Sequence, residues 1–401
     1  MRRWFSEVRW SRSVAALGAA VALATVALTP GCWGDGFDPR AMITSLGVVV
    51  IEPSHEEFAA KAAALDDASR RLCAGADAAP SAGDLESARA AWRAARTAWI
   101  HLEPFAFGPA TVQPWRLGPS IDKWPVRVAS VRDVLDAAPG FDGPLDDAAV
   151  ASLGASRKGL SVVELLLFSD SDLAASASTD SDGATRALAA FDPARSPTAQ
   201  RRCDYLTGLT ADLNTQATAL REAWARDGDD FMGAMIHAGP GQPRYMSLNA
   251  ATSDLVGGLI VTVERTERDR LARPLGLVAG SDARPDSAES RFSHTGNEDV
   301  LAALDAVQRV YEGRLAGVQG VGVADWLRHR RPSLDPKIER ALEDSRAAVD
   351  AIGAPIDEAV LGAPERVHAA YDAVMALRVL LDVQLTQALE ASVTFSDTDG
   401  D

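Results

Sequence analysis

At 401 residues and 47% hydrophobic, the chain is long enough for one large domain or two ordinary ones with real cores. Its 56 acidic residues against 40 Lys+Arg give a formal charge of −16, which argues against nucleic-acid binding and favours attraction of cations. Ala, Leu, Arg, Asp and Glu dominate and tyrosine is scarce, a composition that leans helical.

The first segment reads as a targeting signal. Arg2, Arg3, Arg9 and Arg12 form a positive region, followed by the apolar stretch Val14–Leu28, short for a membrane span and ordinary for a signal peptide. It ends in LTPGCWGD, where a small residue, Gly31, stands directly before Cys32. That is what bacterial lipoprotein processing requires, although Leu28 lies four residues ahead of the cysteine and Pro30 is unusual. The expectation is removal of residues 1–31, lipidation of Cys32 and anchoring to a membrane facing the periplasm. Trp33 is not the acidic residue that signals inner-membrane retention, so the outer membrane is expected. Processing removes four arginines and Glu7, which takes the formal charge from −16 to −19. Cys73 and Cys203 then remain, as a disulfide in an oxidising periplasm or as two buried thiols. No later segment is apolar enough to span a membrane.

Helical periodicity predicts helices at 54–74, 84–103, 157–169, 199–226, 247–272, 298–312, 334–352 and 364–391. In 84–103, Leu85, Ala88, Trp92, Ala95, Trp99 and Leu102 recur at spacings of three and four; in 199–226, Leu206, Leu209, Leu213, Leu220 and Trp224 do the same. Period-two alternation is almost absent, so the fold is expected to be all-α. Residues 104–125, with five prolines and many aromatics, should form an ordered loop packed on helices. Residues 170–198 are small and polar, a surface excursion. Residues 228–245 are rich in Gly and Pro and read as the connection between halves. The expected organisation is a signal over 1–31, an N-terminal helical-bundle domain over 32–235 and a C-terminal one over 236–401.

Within 157–170, RKGLSVVELLLFSD, the run Leu160–Phe168 is apolar except for Ser161 and Glu164. An unpaired carboxylate inside a packed helix would cost several kcal/mol, about 3–5 where a buried pair is broken. Glu164 is therefore either paired for structure or present for chemistry. Glu103 and Asp122 are embedded among aromatic residues, unusual for solvated charges. Were the three acids to converge, they would form an oxygen-rich pocket for a hard cation or a basic ligand, with Trp124 as a wall.

These segments, in order, resemble a known family. WIHLEPFAFGPA and SIDKWP are similar to the W…E-x-F-x-F-G-P and I-D-x-W-P blocks of imelysin-like proteins. KGLSVVELLLF stands where that family carries G-x-H-x-x-E, and VERTERDRLARPL, ESRFSHT and the terminal VTFSDTDGD follow in sequence. The resemblance implies two bundle-like halves with the signature at the crevice between them. It also implies export, a link to iron uptake with membrane uptake components as partners, and a metallopeptidase label.

Read onto the signature, Gly159 and Glu164 match while Ser161 replaces the histidine. Residues i and i+3 share a helix face, so an imidazole and a carboxylate there would converge on a cation. A serine hydroxyl is a poor substitute for Zn²⁺ or Fe²⁺. The expected function is capture of a divalent metal ion or small ligand in the crevice, with Glu164 central, Glu103 and Asp122 supporting, and Ser161, His294 and Arg291 as further contacts. His294 would supply the imidazole that Ser161 lacks. Two other classes stand beside it. A metal-dependent peptidase needs a tightly held metal and a general base. A non-catalytic adaptor would have its crevice acids neutralised internally by arginines such as Arg291 or Arg270. The terminal DTDGD lacks the glutamate of a calcium loop and is no EF-hand. No nucleophile elbow, phosphate loop or dinucleotide fingerprint is present.

Overall fold

A computed structural model describes residues 36–74, 80–173 and 181–392. The targeting segment, Cys32 and the terminal DTDGD lie outside these residues. Helix α1 (Pro39–Leu46) starts on Pro39, whose fixed φ suits a first turn, with Asp38 accepting from the Arg40 amide at 2.9 Å. A wide turn over Gly47–Ile51 carries it into α2 (Glu52–Leu72). α3 (Ala82–Ile100) is capped by Ser81 and buries the expected stripe, together with Arg89 and Arg96.

The proline-rich segment is an ordered loop, as expected. It opens with a tight turn over Glu103–Phe105, includes the short α4 (Gly118–Ile121), and has cis bonds before Pro114 and Pro125. Helices α5 (Val128–Leu135) and α6 (Asp147–Ala151) precede α7 (Leu160–Phe168), which is buried at every position. α8 (Ser181–Ala189) corrects the reading of 170–198 as a polar excursion, because it delivers Ala187, Ala190 and Phe191 to the interior. α9 (Ala199–Trp224) follows. α10 (Phe231–Ile236) lies within the Gly/Pro-rich connection and buries Phe231, Met232 and Met235.

α11 (Leu248–Arg265) runs directly into a second wide turn over Thr266–Ala272, in which the Arg273 amide bonds five residues back to Arg268 O. α12 (Gly296–Glu312) is followed by a two-stranded hairpin, β1 (Arg314–Leu315) and β2 (Val318–Gln319), paired antiparallel. The remaining elements are α13 (Val323–Arg330), α14 (Asp335–Asp350), α15 (Ile356–Gly362), α16 (Pro364–Val379), a third wide turn over Leu380–Leu385, and α17 (Thr386–Leu389). Among the described residues the hairpin is the only strand pairing, so the fold is all-α.

One group of helices packs α2 against α3 and α9, with α7 lodged against α3 and α9. A second packs α11, α12, α14 and α16. They meet where α12 lies on α3 and where the turn at 103–105 lies on α11 and α12. One apolar cluster includes residues from Met42 to Leu389, and Ile100, Ala302 and Ala303 form a small second one. Cys73, at the end of α2, and Cys203, in α9, form a disulfide, which decides between the two readings of those thiols. No helix among the described residues is long and apolar enough to cross a membrane.

Candidate functional site

The signature helix is held at both ends by side chains from its neighbours. Gly159 precedes α7 at φ 87°, and a Cβ there would stand 2.5 Å from Ile121 O. The indole of Trp92 donates to Leu160 O at 2.9 Å. At the other end the buried Arg202 spends its guanidinium on carbonyls, reaching Leu166 O at 2.7 Å, Ser169 O at 2.9 Å and Asp170 O at 2.8 Å. These are orphan acceptors of a helix C-terminus. Burial lowers the pKa of Arg202 to about 9. α7 is thus fixed, and Glu164 in its middle has a defined direction.

Glu164 faces the loop that enters α12. Its Oε1 accepts the Phe292 amide at 3.1 Å, the Ser293 amide at 2.9 Å and the Ser293 hydroxyl at 2.8 Å. Burial pushes its pKa up to about 7, against the opposing pull of the Ser293 bonds and of Arg96. The carboxyl is therefore partnered by backbone and hydroxyl donors. Ser161, one turn earlier on the same face, donates to Asp122 Oδ1 at 2.6 Å.

Asp122 leads into a chain of buried charges. Its other oxygen lies 2.5 Å from Arg96 Nη1, and Arg96 also reaches Glu289 at 2.9 Å and Asp299 at 3.0 Å. Glu289 bonds Arg270 Nε at 2.6 Å, and Arg270 grips Glu103 through two parallel bonds of 3.0 and 2.6 Å. Arg265 stands beside both acids, 3.4 Å from Glu103 and 3.3 Å from Glu289. Burial disfavours charge on Arg96 and Arg270, but the acids around them outweigh it and raise both pKa values above the ordinary arginine value. Burial likewise pushes Glu103 and Glu289 up, and the arginines overcome it and hold both carboxyls low. Asp299 is shifted upward, by burial first and by the adjacent Glu289. Ser290 donates to it at 2.5 Å.

The wide turn explains how two arginines reach one pair of acids. In a regular helix, residues five apart point roughly 140° away from each other. Where the turn widens so that hydrogen bonds span five residues, Arg265 and Arg270 come to one face.

A family model for imelysin, peptidase family M75, matches residues 51–384. The chain belongs to the imelysin family. It is 28% identical over 343 residues to iron-regulated protein A of Synechococcus elongatus, covering 85% of this chain and 83% of that one. A solved structure from Parabacteroides distasonis, described as an iron-regulated protein A precursor, superposes with a TM-score of 0.71 at 19% identity, covering 88% and 95% of the two chains. An imelysin-like protein from Psychrobacter arcticum gives 0.65 at 17%, covering 90% and 98%. At those identities the two structures establish the fold alone.

In this imelysin-family chain the three expected acids do join one region, but through a network that occupies each of them. Glu103 belongs to Arg270, Asp122 to Arg96 and Ser161, and Glu164 to the 292–293 backbone. Trp124 is half-buried, with the Arg273 guanidinium 5.2 Å from its ring centre, so it shields a cation. His294 bonds Asp357 Oδ2 through Nδ1 at 2.8 Å, and the Ser161 hydroxyl donates to Asp122. Arg291 pairs with Asp286 at 2.6 Å and lies 4.4 Å over the Phe292 ring, away from the expected role at the acids. His101 bonds Asp305 rather than Glu103, in keeping with their two-residue spacing.

The donor set does not fit a resident metal ion. Among the described residues no group of three or more His, Cys, Asp or Glu side chains is placed to hold one. Three guanidiniums stand where a cation would be needed, and the signature imidazole is a hydroxyl engaged elsewhere. Sequence reasoning missed Arg96, Arg265, Glu289, Asp299 and Ser293. For Arg96 a signal existed: it lies four residues after Trp92 and three before Trp99, on the buried stripe of α3. Glu289 and Ser293 sit in irregular chain, where no period marks a buried position.

Proposed function

We propose that this imelysin-family chain is an exported, lipid-anchored envelope protein of iron-responsive physiology that acts as a non-catalytic adaptor, and that its signature region serves structure. The observation that carries this reading is the internal pairing of Glu103 and Asp122 with Arg96, Arg265 and Arg270, beside a Glu164 whose carboxyl is held by Ser293. A hydrolytic metal centre needs an open coordination position and a free base. Here each carboxylate already has a strong partner. The five acids Glu103, Asp122, Glu164, Glu289 and Asp299 outnumber the three arginines, and burial raises the pKa of Glu164 to about 7 and shifts that of Asp299 upward.

Export is supported by the N-terminal reading and by the Cys73–Cys203 disulfide, a bond that persists in oxidising compartments. The iron connection is supported by the relative named iron-regulated protein A. Membrane components of iron uptake are the corresponding partners, met while Cys32 holds the protein at the outer membrane.

The test is metal content and calorimetric titration with Fe²⁺, Zn²⁺ and Mn²⁺ on the mature chain from Trp33 onward, wild type beside Glu164→Gln. The expected result is no stoichiometric ion in either protein. One ion bound per wild-type chain and lost in Glu164→Gln would overturn the reading and restore metal capture.

A further inference from the structure

A concavity of about 630 Å³ opens at α10 and the loop after it, lined in part by Asp229, Asp230, His237, Gln242 and Arg244. It shares no residue with the arginine–carboxylate network, so a ligand held there is independent of the adaptor role. The guanidinium of Arg244 lies 4.8 Å from the Trp115 ring centre and 4.9 Å from that of Phe231. Both rings are fixed. The Trp115 indole donates to Asp229 Oδ2 at 2.6 Å, and Phe231 is buried against Trp224 at 4.7 Å and Tyr245 at 6.0 Å.

Aromatic rings engage the faces of a guanidinium and leave its edge, where the N–H donors are, for a planar acceptor. Among the described residues Arg244 makes no side-chain hydrogen bond or ion pair with the protein, and the exposed imidazole of His237 makes none either. A pre-oriented, unused fork in the wall of a concavity reads as a carboxylate subsite.

The same concavity carries negative charge. Asp230 Oδ1 caps the Gly233 amide at 2.9 Å and Asp229 holds Trp115. They would repel a simple anion and attract an ammonium group. We propose that this concavity binds a small zwitterion, a free amino acid or short peptide, with its carboxylate on Arg244 and its ammonium at Asp229 and Asp230. The volume falls in the range of small-molecule sites, roughly 300–1,000 Å³.

The test titrates the mature chain calorimetrically with each common free L-amino acid and with dialanine, beside acetate and ethylammonium. At least one zwitterion should saturate a single site, with acetate and ethylammonium at least about tenfold weaker. Arg244→Ala should weaken the bound zwitterion by about tenfold or more, and Arg244→Lys by less. Asp229→Asn, which keeps an acceptor for Trp115, should weaken it while circular dichroism and the unfolding midpoint stay unchanged. Glu164→Gln should leave binding unchanged. No saturation by any zwitterion at millimolar concentration, binding indifferent to Arg244→Ala, or acetate binding as tightly as the zwitterion would each overturn the proposal.

Discussion

Ser293 gives Glu164 two hydrogen bonds at once, from its amide at 2.9 Å and its hydroxyl at 2.8 Å, across 129 residues of chain. The contact ties α7, in the first group of helices, to the loop that enters the second. A backbone amide cannot be removed by side-chain mutation, so that part of the tie leaves no mark in the sequence.

The protonation state of Glu164 should be readable in stability. Its pKa in the fold is about 7 against 4.5 for a free carboxyl, so its contribution is full below about pH 4.5 and is lost as the pH rises through 7. That window is worth about 3 kcal/mol at 1.36 kcal/mol per pKa unit. Buried His55 acts the other way: its pKa falls from 6.5 to about 4, so its contribution is present above 6.5 and lost as the pH falls through 4. The two nearly cancel in the wild type. The informative quantity is the difference from Glu164→Gln in urea unfolding, which should move about 3 kcal/mol in the mutant's favour between pH 4.5 and pH 8. A difference that stays flat would mean that Glu164 titrates as an ordinary carboxyl.

Arg270→Met takes from Glu103 and Glu289 the more buried of the two guanidiniums they share, leaving Arg265, and should cost about 3–5 kcal/mol in chemical denaturation. Adding Glu103→Met removes one stranded charge and should recover part of that loss. If the double variant were less stable than Arg270→Met by the full cost of Glu103→Met alone, the pair would be uncoupled and the network reading would fail.

Gly258 lets α11 approach the turn at 103–105, since a Cβ there would lie 1.9 Å from Pro104 O. Backbone on one side and helix on the other leave nothing soft to yield. Gly258→Ala should destabilise by about 3 kcal/mol or more and loosen the Glu103–Arg270 pairing. Thermal unfolding gives the first quantity and hydrogen exchange of the 103–106 amides the second. An unchanged midpoint would show that the helix shifts freely.

The Cys73–Cys203 bond closes a loop of 130 residues. Cys73→Ser with Cys203→Ser should lower stability by about 3–5 kcal/mol, with the secondary structure retained near room temperature. A thiol titration of the unfolded wild-type mature chain should report no free thiol from this pair, and two would contradict the bond.

The periodic part of the fold was legible. Trp92, Trp99 and the leucines of α9 marked their buried faces, and the helix expected around Glu164 is α7. α8 was missed because its few apolar residues are set among polar ones, so the burial of Ala187 within it and of Phe191 just beyond it depends on tertiary packing. The site acids were found as residues that needed a partner. The partners were harder to find: arginine in a helix reads as solvated, and Arg96 betrays itself only by its phase. Glu289 and Ser293 act from a loop whose course is fixed by backbone at positive φ, at Ser290 and His294, residue types that do not announce it.

The widened turn after α11 acts as a phase adjuster. A helix is usually tolerant of exchange at its exposed positions and is judged by which residues it carries. Between Arg265 and Arg270 the number of residues matters as much as their identity. Losing one of the four between them would restore the ordinary pitch and leave the arginines four apart, still on one face, but adding one would swing every side chain beyond it by roughly 100° relative to α11. Trp124 would lose the cation of Arg273, and Glu103 would face a different residue, with no contact residue having been mutated. Length is conventionally free in loops and composition in helices. Here the chain inverts that habit, storing the alignment of its charges in a count.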